Sequence, residues 1–85
     1  MSEFDVDGAA AAFAQVAAEL VRATELFPPI ASPHEGYAVI LEEVDELWDE
    51  VKGGTGRTLA ARSEAMQIAA MAVRYMLDVT EPFDE

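Results

Sequence analysis

Apolar residues recur at intervals of three and four along most of this 85-residue chain, which is the spacing of one face of an α-helix. The first such segment predicts a helix from about Ala9 to Leu26. The segment before it, residues 1–8, is short and acidic, so we expect a loosely ordered tail in which Asp7 caps the helix. The helix has one predicted apolar stripe, formed by Phe13, Val16, Ala17, Leu20, Val21 and Phe27.

A second helix is predicted after a proline-rich connection, because prolines at 28, 29 and 33 remove backbone donors. Ser32, Pro33 and Glu35 have the order of an N-cap, a first-turn proline and a capping-box acid. The helix should continue through Lys52 and end at Gly53-Gly54, where glycine readily takes the left-handed conformation. Its predicted apolar face comprises Tyr37, Ile40, Leu41, Val44, Leu47, Trp48 and Val51.

The third predicted helix is apolar nearly all the way round. Thr55 or Thr58 should cap it, and it should run to about Val79, with Pro82 beyond its end. A helix without a polar face must be covered on several sides, and two other helices are too few to do this. The pattern therefore predicts a single all-α domain over residues 1–85, with three main helices per chain, that oligomerises into a helical bundle as a homodimer or tetramer.

Charge and composition narrow the choice of partners. The net charge of -12, from 17 acidic residues against 5 Lys and Arg, repels nucleic-acid polymers and anionic membranes. There is no Cys, and His34 is the single histidine, so any bound metal should have oxygen ligands. The Ala-rich start has neither the basic region of a signal peptide nor the length of a membrane span, and we expect a cytoplasmic protein.

Acidic residues cluster on the second helix, and its segment from Glu35 to Val51 contains no Lys or Arg. Glu43, Glu46 and Glu50 follow i, i+3, i+7 spacing, and Glu43 and Glu50 lie at the margin of the apolar face, where a carboxylate can point into a cleft. Like charges at this spacing cost about 0.2–0.5 kcal/mol per pair in an isolated helix. A bound Mg²⁺ would offset that cost. The alternative interpretation is a solvated acidic helix face.

The segment Glu42-Glu43-Val44-Asp45-Glu46-Leu47 resembles the EExxEL motif of the all-α nucleoside triphosphate pyrophosphatases, the superfamily of MazG proteins and dimeric dUTPases. In that family an ExxE on one helix and an ExxD on the next bind Mg²⁺. Here Glu43-x-x-Glu46 is followed after 17 residues by Glu64-x-x-Gln67, so Gln67 stands where the family usually has Asp. The resemblance covers residues 33–79.

This resemblance implies a Mg²⁺-dependent hydrolase that cleaves a nucleoside triphosphate between the α and β phosphates, releasing the monophosphate and pyrophosphate. It implies that Mg²⁺, with Mn²⁺ as a substitute, is held by Glu43, Glu46, Glu64 and Gln67. Glu42 or Glu50 would act as base or beside the metal ligands.

A triphosphate also needs cations in so acidic a protein. The available cations are Lys52, Arg57, Arg62 and Arg74, and the first three are the candidate substrate-binding residues. Arg57 and Arg62, near the glycine-rich turn and the start of the third helix, are better placed for phosphates than Arg22 on the first helix. Surface pairing of these cations with the many acids is the alternative. Two other functions also remain open: a non-catalytic MazG-like module that binds nucleotides or a protein partner, and a plain acidic helical oligomer.

Overall fold

The computed structural model describes residues 3–82, which form three α-helices and no strand: α1 at Val6–Leu26, α2 at Pro33–Lys52 and α3 at Leu59–Asp78. The all-α prediction with three helices is therefore confirmed. Within these residues, no helix has both the length and the hydropathy that crossing a bilayer requires. The third helix is central, because it packs against both α1 and α2, whereas α1 and α2 have no Cα atoms within 8 Å of each other.

The first helix begins earlier than predicted. Asp5, not Asp7, is its N-cap, and the Asp5 carboxylate accepts a hydrogen bond from the Gly8 N–H at 2.8 Å. The predicted tail of residues 1–8 is thus wrong for Val6–Gly8, which are helical; residues 1 and 2 lie outside the described residues. The physical reason is local, since a carboxylate three residues before an unsatisfied N–H can cap it.

The predicted caps of the other two helices are confirmed. The Ser32 hydroxyl accepts from the Glu35 N–H at 3.1 Å, and the Thr58 hydroxyl accepts from the Ala61 N–H at 3.4 Å. Between these helices, Gly54 has a φ of 83°, the left-handed conformation that glycine adopts without a steric penalty. Side-chain caps therefore fix where α2 and α3 begin, and the backbone freedom of glycine allows the turn that ends α2.

The small core lies on α3. Ala23, Ala70 and Met71 are buried together, and Val16, Val39 and Ile40 pack against them. Small residues allow the helices to approach closely: a Cβ at Gly36 of α2 would collide with the Tyr75 ring of α3. The two flanking helices thus bury Ala70 and Met71 of α3, while most of its other apolar residues are partly buried or exposed. The predicted coverage of α3 by a second subunit stays a prediction.

Only part of the predicted apolar face of α2 turns towards the core. Ile40 and Leu47 are partly buried, whereas five side chains remain 40–66% exposed: Tyr37, Leu41, Val44, Trp48 and Val51. We call these five the α2 apolar stripe. Their spacing of four, three, four and three residues is the a/d pattern of a coiled-coil seam, so α2 carries a continuous apolar surface that the described residues leave open.

The predicted stripe of α1 is also wrong in part. Phe13, Val21 and Phe27 are 55–73% exposed, whereas Glu19 and Ala23 are buried. Helical periodicity identified which residues share a face, but the rotation of α1 about its axis is set by its packing on α3. That rotation places the acidic residue Glu19 on the side of α1 that faces α3.

The proline-rich connection is attached to the C-terminal end of α3. The Arg74 guanidinium donates to the Pro28 carbonyl at 2.8 Å, and the Asp78 carboxylate accepts from the Ile30 N–H at 2.9 Å. These bonds satisfy backbone groups of a segment that forms no helix. They also hold the connection as a wall of the cleft described below.

Candidate metal centre

A cleft remains between α1 and α2 because the two helices do not meet, and α3 forms its floor. Its volume is about 560 Å³. Along α3 its lining runs from Glu64 through Gln67 and Met71 to Arg74, a rise of about 15 Å. The cleft therefore has an acidic end near the start of α3 and another end bounded by Arg74 and Pro28.

Three carboxylates converge at the acidic end. Glu43 and Glu46 come from successive turns of α2, Glu64 comes from α3, and one oxygen from each lies within 4.8 Å of the others. The i, i+3 spacing places the two α2 residues on one side of that helix. The structure thus brings together three of the four residues that the sequence had assigned to a metal.

The carboxyl groups of this cluster are in an unfavourable electrostatic environment. The pKa of Glu43 is raised to about 7, chiefly by burial and in addition by the neighbouring carboxyls of Glu64 and Glu46. Burial also raises the pKa of Glu64, as does Glu46 beside it. In the folded chain, the carboxyls of Glu43 and Glu64 therefore hold their protons more tightly than solvated carboxyls do.

Two oxygens of the cluster have no partner in the described part of the chain. Glu43 Oε2 and Glu64 Oε2 are both buried and accept no hydrogen bond from residues 3–82. A buried oxygen without a partner is costly, and more so when it is charged. Hard divalent cations prefer carboxylate oxygens and retain water or phosphate as further ligands, so these residues fit a Mg²⁺ or Mn²⁺ ion.

Gln67 also lines the cleft, one turn after Glu64 on α3. Glu19 of α1 lines the same cleft, and its hydrogen bonds with Arg22 lower the pKa of its carboxyl against the opposing effect of burial. Sequence reasoning missed Glu19. The signal was present, because Glu19 stands at helical spacing with Val16 and Ala23, which face the core.

The two candidate bases occupy different positions. Glu42 lines the cleft beside the cluster. Glu50 is not among the residues that line it, and its carboxylate accepts a hydrogen bond from the Thr55 hydroxyl at 2.7 Å. The charge of Glu50 still helps to raise the pKa of Glu64. Glu42 is therefore the better placed of the two for chemistry in the cleft.

The three predicted substrate-binding cations do not line the cleft. Lys52 lies 3.5 Å from the Asp49 carboxylate, Arg62 donates to the Gln15 amide oxygen at 3.1 and 3.2 Å, and Arg57 is exposed in the turn.

Two other arginines line the cleft instead, Arg22 from α1 and Arg74 from α3. The sequence had ranked Arg22 below Arg57 and Arg62 because those residues are near the glycine-rich turn and the start of the third helix. Packing of α1 on α3 reverses that order in space.

Comparison with family models, with curated proteins and with solved structures finds no match for this chain. The functional argument therefore depends on the residues of the cleft, their geometry and the short motif around Glu43 and Glu46. Of these, the convergence of carboxylates from two helices carries the most weight, because it involves residues distant in the sequence.

Proposed function

We propose that this protein is a Mg²⁺-dependent nucleoside triphosphate pyrophosphohydrolase that releases a nucleoside monophosphate and pyrophosphate. The observation that supports it best is the cluster of Glu43, Glu46 and Glu64, with two buried oxygens that lack partners. The resemblance of residues 42–47 to the EExxEL motif agrees with this arrangement. Mn²⁺ is the expected substitute for Mg²⁺, since both accept oxygen ligands.

The proposed roles follow from position in the cleft. Glu43, Glu46 and Glu64 would hold the cation, and Gln67 would contribute its amide oxygen. A bound Mg²⁺ supplies charge stabilisation at the phosphate oxygens and lowers the pKa of a coordinated water. Glu42, which lines the cleft and is exposed, is the carboxylate that would accept the proton of the attacking water.

The remainder of the cleft suits a nucleotide. A volume of about 560 Å³ lies within the range of about 300–1,000 Å³ that is typical of small-molecule sites. Ile30, Val39 and Met71 give it apolar walls against which a nucleoside can pack. Both arginines have partners, Arg74 the Pro28 carbonyl and Arg22 the Glu19 carboxylate. Arg74 is buried, whereas the Arg22 side chain is 54% exposed, so Arg22 is the arginine that would contact phosphate.

A panel of ribonucleoside and deoxyribonucleoside triphosphates tests the proposal. Pyrophosphate release should require Mg²⁺ or Mn²⁺ and should disappear in Glu46→Gln. The matched control is Asp45→Asn, which removes one carboxylate from an exposed position of the same helix and should retain activity. Equal turnover by the two variants would show that the cluster is not the catalytic site.

A non-catalytic function is the second candidate, and two observations favour it. Gln67 brings no charge to a position where the resembling family has Asp, and the α2 apolar stripe offers a surface for a helical partner. A nucleotide-binding module would be stabilised by nucleotide without releasing pyrophosphate. A protein-interaction module would show neither effect, and the same panel therefore separates the three possibilities.

A further inference from the structure

The α2 apolar stripe lies on the side of α2 that is opposite the cleft. Val44 and Trp48 of the stripe are each two positions from Glu46, which lines the cleft. Two positions along an α-helix correspond to a rotation of about 200°, so the stripe and the cleft are on opposite sides of α2. In the described part of the chain the five side chains of the stripe remain 40–66% exposed. A ligand in the cleft would therefore leave the stripe uncovered.

The third helix contributes apolar residues to the same side of the molecule. Ala65 and Ala69 are each two positions from Gln67, and Met76 is two positions from Arg74; Gln67 and Arg74 both line the cleft. By the same rotation, the two alanines and Met76 face away from it. Ala65 and Met76 are exposed, and Ala69 is half-buried. We call the α2 apolar stripe together with Ala65, Ala69 and Met76 the rear face.

The chain exposes more surface than a folded monomer of its mass. Its accessible surface is 6537 Å², whereas a monomeric protein of 9.2 kDa exposes about 4,900 Å². The excess of about 1,600 Å² is about twice the area of about 800 Å² that each partner contributes to a standard interface. This area is therefore more than a stable dimer needs, and the rear face is a continuous apolar part of it.

We propose that the rear face binds a second copy of this chain, with the two α2 helices antiparallel about a two-fold axis. A second copy presents the same face, so a two-fold axis pairs the stripe with itself. In the antiparallel orientation the two α3 helices lie on the same side of this seam and meet through Ala65, Ala69 and Met76. A parallel pair would place the α3 helices on opposite sides of the seam and leave those residues open.

The spacing of the stripe favours one antiparallel register. When Leu41 lies opposite Val44 of the second copy, Tyr37 lies opposite Trp48, and both aromatic side chains are covered. A shift by one heptad in one direction leaves Trp48 without a partner. A shift in the other direction leaves Tyr37 unpaired and brings the Asp45 carboxylates of the two copies together, which like charges disfavour.

Light scattering and a pair of matched variants test the location of the interface. The wild type should form a species of about 18 kDa, twice the chain mass of 9.2 kDa, or a multiple of it. Trp48→Glu should weaken the dimer by about a thousandfold, because a symmetric interface loses a buried aromatic side chain on each copy. The control is Phe13→Glu, which makes the same kind of change at a 73% exposed residue of α1 and should leave the dimer intact.

Disulfide cross-linking tests the orientation and covers the case in which Trp48→Glu fails to fold. The chain has no cysteine, so introduced thiols can pair only with each other. Leu41→Cys/Val44→Cys should give a disulfide-linked dimer on oxidation. Each single variant should stay unlinked, because identical residues near the axis are offset by about 4.5 Å along the helix in addition to the distance across the seam, beyond the reach of a disulfide.

Three results would overturn the inference. A wild type of 9.2 kDa would leave the rear face to a different partner. Dissociation by Phe13→Glu but not by Trp48→Glu would move the interface to α1. A cross-linked dimer of Leu41→Cys alone would show a parallel pair. None of these measurements involves a residue of the cleft, so the inference stands or fails independently of the proposed function.

Discussion

Glu43→Gln should change the pH dependence of stability in the metal-free protein. The folded state raises the pKa of Glu43 from 4.5 to about 7, so the folded chain binds this proton more tightly than the unfolded chain does. The associated stability is fully present below pH 4.5 and is lost as the pH rises through 7. Glutamine at this position mimics the protonated carboxyl and cannot lose a proton.

The magnitude follows from the difference between the two pKa values, about 2.5 units. At about 1.36 kcal/mol per pKa unit, this difference corresponds to about 3 kcal/mol of unfolding free energy. Water in the cleft screens the carboxyl, which reduces the expected effect to about 1–2 kcal/mol. In a domain of this size, that is a change in Tm of about 4–16 °C.

Urea denaturation with a chelator present, followed by far-UV circular dichroism, provides the measurement. The wild type should lose stability between pH 4.5 and about pH 8, and Glu43→Gln should lose less, so that it becomes the more stable protein at the upper end. Asp45→Asn makes the same change in net charge at an exposed position and should follow the wild type. Parallel pH profiles for the wild type and Glu43→Gln would refute the reasoning.

Four other predictions concern the cation, the assembly and the packing. Mg²⁺ at about one hundred times its Kd should raise the unfolding free energy of the wild type by about 2.7 kcal/mol by mass action. A thermal melt in which Mg²⁺ stabilises Glu46→Gln as much as the wild type would contradict this prediction. Calorimetry should show cation affinity rising with pH through about 7, since the cation displaces the proton of Glu43; a flat profile would exclude that exchange. Light scattering should show a dimer or tetramer that Trp48→Glu in the α2 apolar stripe dissociates, whereas a 9.2 kDa wild-type species would contradict oligomerisation. Gly36→Ala should cost about 1–3 kcal/mol by thermal melt because of the Tyr75 ring, and an unchanged Tm would show that the ring moves aside freely.

The sequence alone was sufficient for the helices and for much of the acidic cluster. Ser32 and Thr58 cap helices through hydrogen bonds to residues three positions away, so their role could be predicted without knowing the tertiary structure. The spacing of Glu43 and Glu46 places them on one side of α2 for the same reason. Glu64 was paired with them by resemblance to a two-helix motif, and the structure brings the three carboxylates together.

The tertiary structure decided how the helices are rotated and which side chains meet across the cleft. Periodicity gives the residues that share a face, but the rotation of each helix depends on packing against its neighbours. That packing buries Glu19 and brings Arg22 to the cleft, while Arg62 contacts Gln15 outside it. It also leaves two oxygens of the cluster buried without partners in the described residues. Burial is the largest cause of the raised pKa of Glu43, and it exists only once the helices are packed together.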